Sequence, residues 1–310
     1  MKVLVTGGAG FIGSHVVEEH FNAGDQITVV DDLSMGKVEN LPVSDDITFY
    51  KKSITDFEFM KALLLKEKFD VIYLLAAIAS VADTIERPYE SHQVNQEANL
   101  VILETIRVHQ LAVKRILFAS SAAVYGNLPK VPKVETDEVL PATAYAIDKY
   151  ATERFVLSYS ELYHIPTVAF RFFNVYGPRQ NPKSPYSGVL SIAANALKNQ
   201  VQFNVYGDGQ QTRDFVYVKD VVQALQLGMK NDAMVGQVFN VATGNTASLN
   251  DTLSVLEQAA DKSFNLAYVA PRVGDIKHSA AQIDKLQKYG YNPMFTLKTG
   301  LMGYWESLGD

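Results

Sequence analysis

A glycine-rich turn near the start of the chain restricts the fold more than any other feature of the sequence. It runs from Gly7 to Gly13 and satisfies both the G-x-G-x-x-G and the G-x-x-G-x-x-G spacings. The apolar run Val3–Val5 precedes the turn, and the amphipathic segment Phe11–Ala23 follows it. Glycines let the backbone turn sharply and approach a pyrophosphate, which then lies on the free N–H groups of a helix N-terminus. The turn therefore predicts a strand, a dinucleotide-binding loop and a helix in succession.

Short β-branched runs and longer amphipathic segments alternate through the first half of the chain. The clearest apolar runs are 3–5, 27–30, 71–75, 115–119 and 167–172, and the helical segments are 11–23, 57–66, 94–109, 144–163 and 189–198. This succession, with about six strands in the first 173 residues, indicates a parallel sheet with helices on both faces. The predicted fold class is α/β, a doubly wound parallel sheet of the Rossmann type with a smaller C-terminal α/β substrate domain.

The regular alternation weakens beyond Asn174, where a Pro-, Asn- and Ser-rich stretch from Pro178 to Pro185 begins. Two later apolar runs, 214–218 and 238–241, are typical of buried strands that return to the first domain. We therefore predict a dinucleotide-binding domain of residues 1–173 plus about 214–245. A substrate-binding domain would comprise about 174–213 plus 246–310.

Composition and charge exclude several classes of protein. The 310 residues include 47% hydrophobic and 20% charged residues, as in soluble globular proteins. Twenty-eight Lys and Arg against 34 Asp and Glu give a net charge of -6, which argues against a nucleic-acid partner. The absence of cysteine excludes thiolate catalysis and thiolate metal ligands, and agrees with a reducing, cytoplasmic location. No signal peptide is recognisable, and the longest apolar stretch, 71–82, is too short to span a bilayer, so no membrane partner and no metal are expected.

Two acidic residues end the second predicted strand. Asp31 and Asp32 lie about twenty residues beyond the glycines, where a carboxylate accepts hydrogen bonds from adenosine-ribose hydroxyls and repels a 2′-phosphate. They predict NAD rather than NADP as cofactor. Lys37 leaves NADP open should Asp31 turn away, and a solvated loop acid is the alternative interpretation of Asp32.

A tyrosine and a lysine are spaced for one face of a predicted helix. Tyr145 and Lys149 are i,i+4 neighbours in the segment 144–163. Such a pair arises readily by chance, so its position carries the argument. It follows the strand that ends in Ser120–Gly126, which presents hydroxyls at the carboxyl edge where doubly wound folds bind ligands. There a secondary alcohol can lose a proton to a base and hydride to a nicotinamide.

Further motifs follow in an order that is similar to a known family. They are Leu75-Ala76-Ala77, Val94-Asn95, the run from Arg171 to Pro178, Tyr206 to Gly209, Arg213-Asp214-Phe215, and Arg272 with Gly274-Asp275. With these motifs the chain resembles the extended short-chain dehydrogenase/reductase family, and within it the nucleotide-sugar 4-epimerases. The resemblance covers essentially the whole length. It implies NAD as cofactor, a UDP-sugar as substrate and a homodimer.

The resemblance also implies a role for each motif residue. Tyr145 would be the base, Lys149 would lower the pKa of that phenol and hold the nicotinamide ribose, and Ser121 would hydrogen-bond the reacting oxygen. The implied cofactor-binding residues are Gly7, Gly10, Phe11, Ile12, Gly13, Asp31, Asp32, Ser53, Ile54, Leu75, Ala76, Ala77, Asn95, Tyr145, Lys149 and Phe173. The implied substrate-binding residues are Ser121, Tyr145, Asn174, Gln180, Tyr206, Arg213, Arg272, Asp275 and Ser279.

Two positions bear on the substrate and the reaction. Ser279 aligns with a family position where a tyrosine restricts the enzyme to glucose and galactose, and a serine there leaves room for a 2-acetamido group. UDP-N-acetylglucosamine and UDP-N-acetylgalactosamine are therefore expected beside UDP-glucose and UDP-galactose. Ala122-Ala123 stand where relatives that eliminate water or carbon dioxide carry an acid. A 4-epimerase for a uronate or another nucleotide sugar, and a non-catalytic dinucleotide-binding sensor, stay open as alternatives.

Three positions depart from the family pattern. Leu74 replaces a histidine, Ser53 replaces an aspartate that meets the adenine edge, and Gln282 replaces an aspartate near the C-terminus. The weaker hydrogen bond of a serine puts cofactor affinity most in question. Family dimers pair the helix around 99–109 with the tyrosine helix. The apolar face of the helix around 99–109 would be supplied by Leu100, Ile102, Leu103 and Ile106. Packing in the core is the alternative interpretation of these four residues.

Overall fold

The computed structural model describes residues 1–181, 188–271 and 276–309, in which strands alternate with helices. The strands are β1 (Lys2–Thr6), β2 (Gln26–Asp31), β3 (Ile47–Lys51), β4 (Val71–Leu74), β5 (Arg115–Ser121), β6 (Thr167–Phe172), β7 (Asn174–Tyr176), β8 (Phe203–Tyr206), β9 (Thr212–Arg213), β10 (Phe215–Tyr217), β11 (Gln237–Val241), β12 (Ala247–Ser248), β13 (Leu266–Val269) and β14 (His278–Ser279). The helices are α1 (Phe11–Asn22), α2 (Phe57–Glu67), α3 (Val81–Glu86), α4 (Pro88–His92), α5 (Ala98–Val108), α6 (Ala144–Tyr163), α7 (Val189–Asn199), α8 (Val218–Lys230), α9 (Leu249–Ala260), α10 (Asp284–Gln287) and α11 (Leu297–Ser307). A π-helical segment, Gln93–Glu97, joins α4 to α5.

A large parallel sheet, seven strands wide in the described residues, has the order β11-β6-β5-β4-β1-β2-β3. Its central strands are apolar on both faces because helices cover both sides. One face packs on α1 and α8 around Val17 and Leu225, and the other packs on α2, α5 and α6 around Leu63, Ile102 and Val156. The predicted doubly wound α/β fold is confirmed. The strand order reverses between β1 and β4, which is the place where such sheets open a ligand crevice.

Two strand predictions need correction. The sequence pattern does not mark β3, an edge strand whose residues are only partly buried. Of the run 214–218, only Phe215–Tyr217 is a strand, and it pairs with β7 outside the large sheet. Val218 already begins α8, so the chain returns to the large sheet first as a helix. The run 238–241 does return as a strand, because β11 pairs in parallel with β6.

The remaining elements surround a second apolar core. Helices α7, α9 and α11 enclose Leu190, Leu253, Leu301 and Tyr304. Beside them lie a parallel pair, β8 with β13, and a small sheet of order β12-β9-β14. A separate core is what a smaller C-terminal domain requires, while the predicted domain boundaries stay predictions. Within the described ranges, no helix combines the length and the apolarity needed to cross a bilayer.

Candidate active site

The glycine loop links β1 to α1 and excludes side chains at two of its positions. Gly7 has a φ of +71°, and a Cβ there would lie 2.8 Å from the backbone of Ala76. A Cβ on Gly13 would lie 2.1 Å from the carbonyl oxygen of Gly7. Gly10 precedes α1 and brings no side chain to compete for the first N–H groups of the helix. This bare, closely packed turn fits a pyrophosphate held by backbone N–H groups.

A cavity of about 690 Å³ begins at this loop and follows the carboxyl ends of the strands. The predicted cofactor ligands along it are Gly7, Gly10, Phe11, Ile12, Gly13, Asp31, Asp32, Ser53, Ile54, Leu75, Ala76, Ala77 and Phe173. The predicted catalytic and substrate residues in the same lining are Ser121, Tyr145, Lys149, Asn174 and Gln180. The fold thus brings residues from six separate motifs into one continuous cavity.

Asp31 ends β2 and ties the glycine loop to the loop that follows the strand. Its carboxylate accepts hydrogen bonds from the backbone N–H groups of Ala9, at 3.0 Å, and Leu33, at 2.8 Å. Burial raises the pKa of Asp31, and these backbone hydrogen bonds oppose the shift. Asp32 is exposed and accepts a hydrogen bond from the N–H of Ser34 at 2.9 Å. Both carboxylates line the cavity, so both stay candidates for binding the ribose hydroxyls.

Tyr145, Lys149 and Ser121 meet at the carboxyl edge of β5. Lys149 is only 2% exposed, and its Nζ donates to the carbonyl oxygen of Ala119 at 2.9 Å and lies 6.0 Å from the centre of the Tyr145 ring. Burial lowers the pKa of Lys149 to about 8, although the neighbouring Asp148 opposes the shift. Burial raises the pKa of Tyr145, and a hydrogen bond with Ser121 opposes that shift. The phenol therefore needs nearby positive charge to become a base at neutral pH.

A buried ion pair joins the strand end to the helix that carries the tyrosine and the lysine. Arg171 of β6 donates two hydrogen bonds to the carboxylate of Glu153 on α6, at 2.6 and 2.9 Å. Ser120, next to the predicted catalytic Ser121, donates to the same carboxylate at 2.6 Å. The guanidinium carbon of Arg171 also lies 4.8 Å from the centre of the Tyr125 ring. These contacts fix Ser120, and with it the strand end that carries Ser121, relative to α6.

Comparison with known proteins identifies the family. Residues 3–242 match the model of the NAD dependent epimerase/dehydratase family. The chain belongs to this family. It is 35% identical over 306 residues to a UDP-glucose 4-epimerase of Mycolicibacterium smegmatis, and the match covers 97% of this chain and 96% of that protein.

Solved structures of similar epimerases superpose on nearly the whole chain. A UDP-glucose 4-epimerase of Thermotoga maritima with UDP-glucose has a TM-score of 0.94 at 36% identity, covering 99% of this chain and 98% of that one. A UDP-N-acetylglucosamine 4-epimerase of Methanobrevibacter ruminantium has a TM-score of 0.93 at 35% identity, covering 99% and 97%. A UDP-glucuronic acid 4-epimerase of Bacillus cereus has a TM-score of 0.89 at 27% identity, covering 99% of both chains. The predictions of an extended short-chain dehydrogenase/reductase, of NAD as cofactor and of an epimerase are confirmed.

The epimerase cavity also carries charged residues that no motif marks. Arg87, between α3 and α4, pairs with Glu90 at 2.8 Å and with Asp83 at 4.0 Å. All three line the cavity, and Asp83 and Glu90 lie on short helices whose sequence shows no regular period. Arg179 lines it from the other side and donates to Glu18 of α1 at 2.7 Å. This ion pair turns one guanidinium nitrogen of Arg179 towards α1.

Asn95 is a predicted cofactor ligand that lies behind the cavity lining. It is fully buried, its Oδ1 accepts from the N–H of Ile78 at 2.9 Å, and its Nδ2 donates to the carbonyl oxygen of Ile78 at 3.1 Å. Ile78 itself lines the cavity. In the described structure the asparagine therefore shapes the loop after β4, and its direct contact with the cofactor stays a prediction.

The predicted nucleotide-end residues are not gathered into the described lining. Tyr206, Arg213 and Ser279 lie on β8, β9 and β14, and Arg213 is the register partner of Ser279. Arg272 and Asp275 lie outside the described residues. The substrate-binding roles of these five residues stay predictions. The pairing of β9 with β14 does place the arginine beside the position that the resemblance links to sugar size.

Proposed function

We propose that the protein is an NAD-dependent UDP-sugar 4-epimerase. It interconverts UDP-glucose with UDP-galactose, and UDP-N-acetylglucosamine with UDP-N-acetylgalactosamine, through a 4-keto intermediate. The observation that carries this proposal is the single cavity shared by the glycine loop and by Ser121, Tyr145 and Lys149. Similar proteins named UDP-glucose 4-epimerase and UDP-N-acetylglucosamine 4-epimerase support the two sugar pairs.

In the proposed mechanism, Tyr145 takes the proton from the 4-hydroxyl of the sugar. The Ser121 hydroxyl holds the sugar oxygen in line with the phenol, and the Lys149 ammonium stabilises the phenolate. NAD would be held at the glycine loop, by Gly7, Gly10 and Gly13, and would supply the hydride transfer to and from the sugar C4. After the keto sugar has turned its other face, the tyrosine gives the proton back to the same oxygen. One acid–base group is sufficient for this exchange.

The residues that follow Ser121 support epimerisation over elimination. Ala122 and Ala123 begin a short 3₁₀ helix, Ala122–Tyr125, and the hydroxyl oxygen of Ser121 accepts from the N–H of Ala123 at 3.2 Å. Loss of water from a sugar needs a further acid beside the leaving hydroxyl. The chain carries the methyl groups of Ala122 and Ala123 directly after Ser121, where such an acid would be expected.

One arginine nitrogen in the cavity bears on the choice between a neutral sugar and a uronate. Arg87 pairs with Glu90, and Arg179 pairs with Glu18 through Nη2, but Nη1 of Arg179 is buried without a hydrogen-bond partner within the described ranges. A sugar carboxylate would need that nitrogen, so the uronate stays an alternative to the neutral sugars. Gln180 donates weakly to the carbonyl oxygen of Val175 at 3.4 Å, while its Oε1 is buried and has no partner within the described ranges. That oxygen is available to accept from the N–H of a 2-acetamido group.

Incubation with UDP-N-acetylglucosamine and, separately, with UDP-glucose tests the proposal. No cofactor is added at first, and the C4 configuration is followed by proton NMR. Both galacto epimers are expected. If neither forms even after NAD is added, the proposal is wrong, and turnover of UDP-glucuronate alone would establish the uronate alternative.

Two variants test the choice of sugar. Gln180→Leu should reduce turnover of the acetamido sugar more than that of UDP-glucose, because only the acetamido sugar has an N–H for this oxygen. Ser279→Tyr should likewise lower the ratio of acetamido to plain hexose turnover. An unchanged ratio in either variant would remove that residue from the specificity argument.

We also propose that the enzyme is a homodimer that pairs through α6, the tyrosine helix, which is one of the two helices that the resemblance implies. On the other helix, Ile102, Leu103 and Ile106 are buried in the core of the described chain, and Leu100 is half-buried. Exposed apolar side chains lie on α6, at Ile147 (51% exposed), Phe155 (38%) and Leu162 (62%). Their spacing of eight and seven residues places them on one helix face, which a second copy would bury. Sedimentation that shows only a monomer would refute the dimer.

A further inference from the structure

Asp214 stands in the middle of the motif Arg213-Asp214-Phe215, and the proposed mechanism gives it no role. Its side chain is fully buried. Oδ1 accepts hydrogen bonds from the N–H of Thr243 at 2.8 Å and from the hydroxyl of Thr243 at 2.7 Å, and Oδ2 accepts from the N–H of Gly244 at 2.9 Å. A buried carboxylate is costly unless such donors stay in place. Asp214 and this turn, which lies just beyond β11 of the large sheet, therefore hold each other.

The carbonyl group of Asp214 reaches the wall of the cavity. Its oxygen accepts from Nδ2 of Asn174 at 3.0 Å and from the N–H of Asn174 at 3.3 Å. Asn174 lines the cavity, and so does Phe215, which follows Asp214 in the chain and is the register partner of Asn174. Asp214 thus lies directly behind this wall. Its carbonyl group fixes the side-chain amide of Asn174, a predicted substrate ligand.

The N–H group of Asp214 reaches β14. It donates to the carbonyl oxygen of Ser279 at 2.9 Å. On the other side of this segment, the N–H of Lys133 donates to the carbonyl oxygen of Ala280 at 2.9 Å, and the N–H of Gln282 donates to the carbonyl oxygen of Lys133 at 2.8 Å. The contacts with Lys133 do not involve Asp214. A change at Asp214 should therefore shift Ser279 without releasing the whole segment.

The carboxylate of Asp214 contacts the Ser279 segment as well. Burial raises the pKa of Asp214, and hydrogen bonds from Thr243 and Gly244 and from the N–H of Ala281 oppose the shift. Ala281 lies two residues beyond Ser279. The side chain and the backbone of Asp214 therefore hold the same segment.

Building on the proposed function, we propose that Asp214 is a positioning residue that holds Asn174 and Ser279 in place relative to the sheet that carries the cofactor site. Its carboxylate ties it to the turn after β11, and its backbone holds Asn174 on one side and Ser279 on the other. Asp214 is not part of the described cavity lining, so it acts through these neighbours. The effect on the choice of sugar rests on the predicted role of Ser279. A change at Asp214 should alter UDP-sugar binding and leave NAD binding intact.

Asp214→Asn is the direct test. The amide group of asparagine keeps one acceptor oxygen, but its NH2 group would face a hydrogen-bond donor of the turn, so at least one of the three hydrogen bonds is lost. Calorimetry in the presence of NAD should show the Kd of UDP-glucose raised about tenfold, because a small displacement of positioning groups has effects of this size. KM should rise likewise, with a smaller fall in kcat and a changed ratio of acetamido to plain hexose turnover. The Kd of NAD should stay within about twofold of that of the wild type.

Variants of Thr243 separate positioning from a general loss of packing. Valine removes the hydroxyl that donates to Asp214, whereas serine keeps it. Thr243→Val should therefore show part of the rise in the Kd of UDP-glucose, and Thr243→Ser should bind as the wild type does. Thr246→Val and Asp261→Asn make matched changes at exposed positions and should leave both Kd values unchanged. Thermal unfolding checks that each variant is folded, and Thr243→Val, at a half-buried residue, serves as the test if Asp214→Asn does not fold.

A wild-type Kd of UDP-glucose in folded Asp214→Asn, or in Thr243→Val, would overturn the inference. So would an equal weakening of NAD and UDP-glucose binding, or a Thr243→Ser variant that binds as weakly as Thr243→Val. Weaker UDP-glucose binding with intact NAD binding, in a protein that epimerises no UDP-sugar, would support the inference while refuting the proposed function. Normal epimerase kinetics in all of these variants would support the proposed function and refute the inference.

Discussion

Replacing Arg171 by methionine should destabilise the protein by about 3–5 kcal/mol, because the change leaves Glu153 charged and buried. The two side chains are 4% and 1% exposed. Glu153 loses two of its three hydrogen bonds, keeping only the one from Ser120. At about 1.5–3 kcal/mol for each hydrogen bond to a charged group, the loss agrees with the range for a broken buried pair. The guanidinium contact with the Tyr125 ring is lost as well.

Urea unfolding of the wild type and the variant measures this loss, and thermal unfolding should show a midpoint lowered by roughly 10 °C. The double variant Arg171→Met with Glu153→Leu should recover a large part of the stability, because no buried charge is left. Arg154→Met, at an exposed position of the same helix, is the control and should change stability by less than about 0.5 kcal/mol. A loss below about 1 kcal/mol for Arg171→Met, or a double variant no more stable than the single one, would refute the reasoning.

Three further outcomes are expected from other parts of the molecule. Gly13→Ala should weaken NAD binding about tenfold or more, because the added Cβ would lie 2.1 Å from a backbone oxygen. Calorimetry measures the affinity, and Gly303→Ala, whose Cβ would make only an ordinary van der Waals contact, is the control that should bind NAD as the wild type does. Tyr145→Phe should lower kcat by about 10²- to 10⁴-fold with UDP-sugar binding retained, and the exposed Tyr163→Phe should stay active. Burial lowers the pKa of His20, so the folded state binds fewer protons than the unfolded state, and thermal stability should fall as pH drops below about 6.5. A flat unfolding profile between pH 7.5 and 5.5 would contradict the last expectation.

The elements with strong local signals could be predicted from the sequence. The predicted ranges 144–163 and 167–172 coincide with α6 and β6. Apart from Asn95, the predicted cofactor and catalytic residues converge because the carboxyl ends of parallel strands share one edge, so motifs far apart in sequence meet there. Knowing the order of strands and motifs is sufficient for that part of the site.

Contacts made by tertiary packing could not be predicted. Asp214 and Thr243 are 29 residues apart, and no motif or periodicity connects them. The small sheet β12-β9-β14 consists of two-residue strands, too short to show any period, and it decides where Arg213 and Ser279 lie. The dimer-face residues of α5 were ambiguous for a related reason, since an apolar helix face packs equally well on a core or on a partner.

The strand β11 closes the large sheet only after the chain has passed through β7 to β10 and two helices. While the chain is being synthesised, the outer edge of β6 is therefore without its neighbour until residue 241 has been made. Unpaired strand edges invite wrong pairing between chains, and domains generally fold as they emerge. We expect fragments that end before residue 237 to aggregate, because no cover for that edge exists in them. Strand β11 thus closes the exposed edge of the large sheet only late in synthesis, so the first 236 residues have to stay free of wrong pairing until it is made.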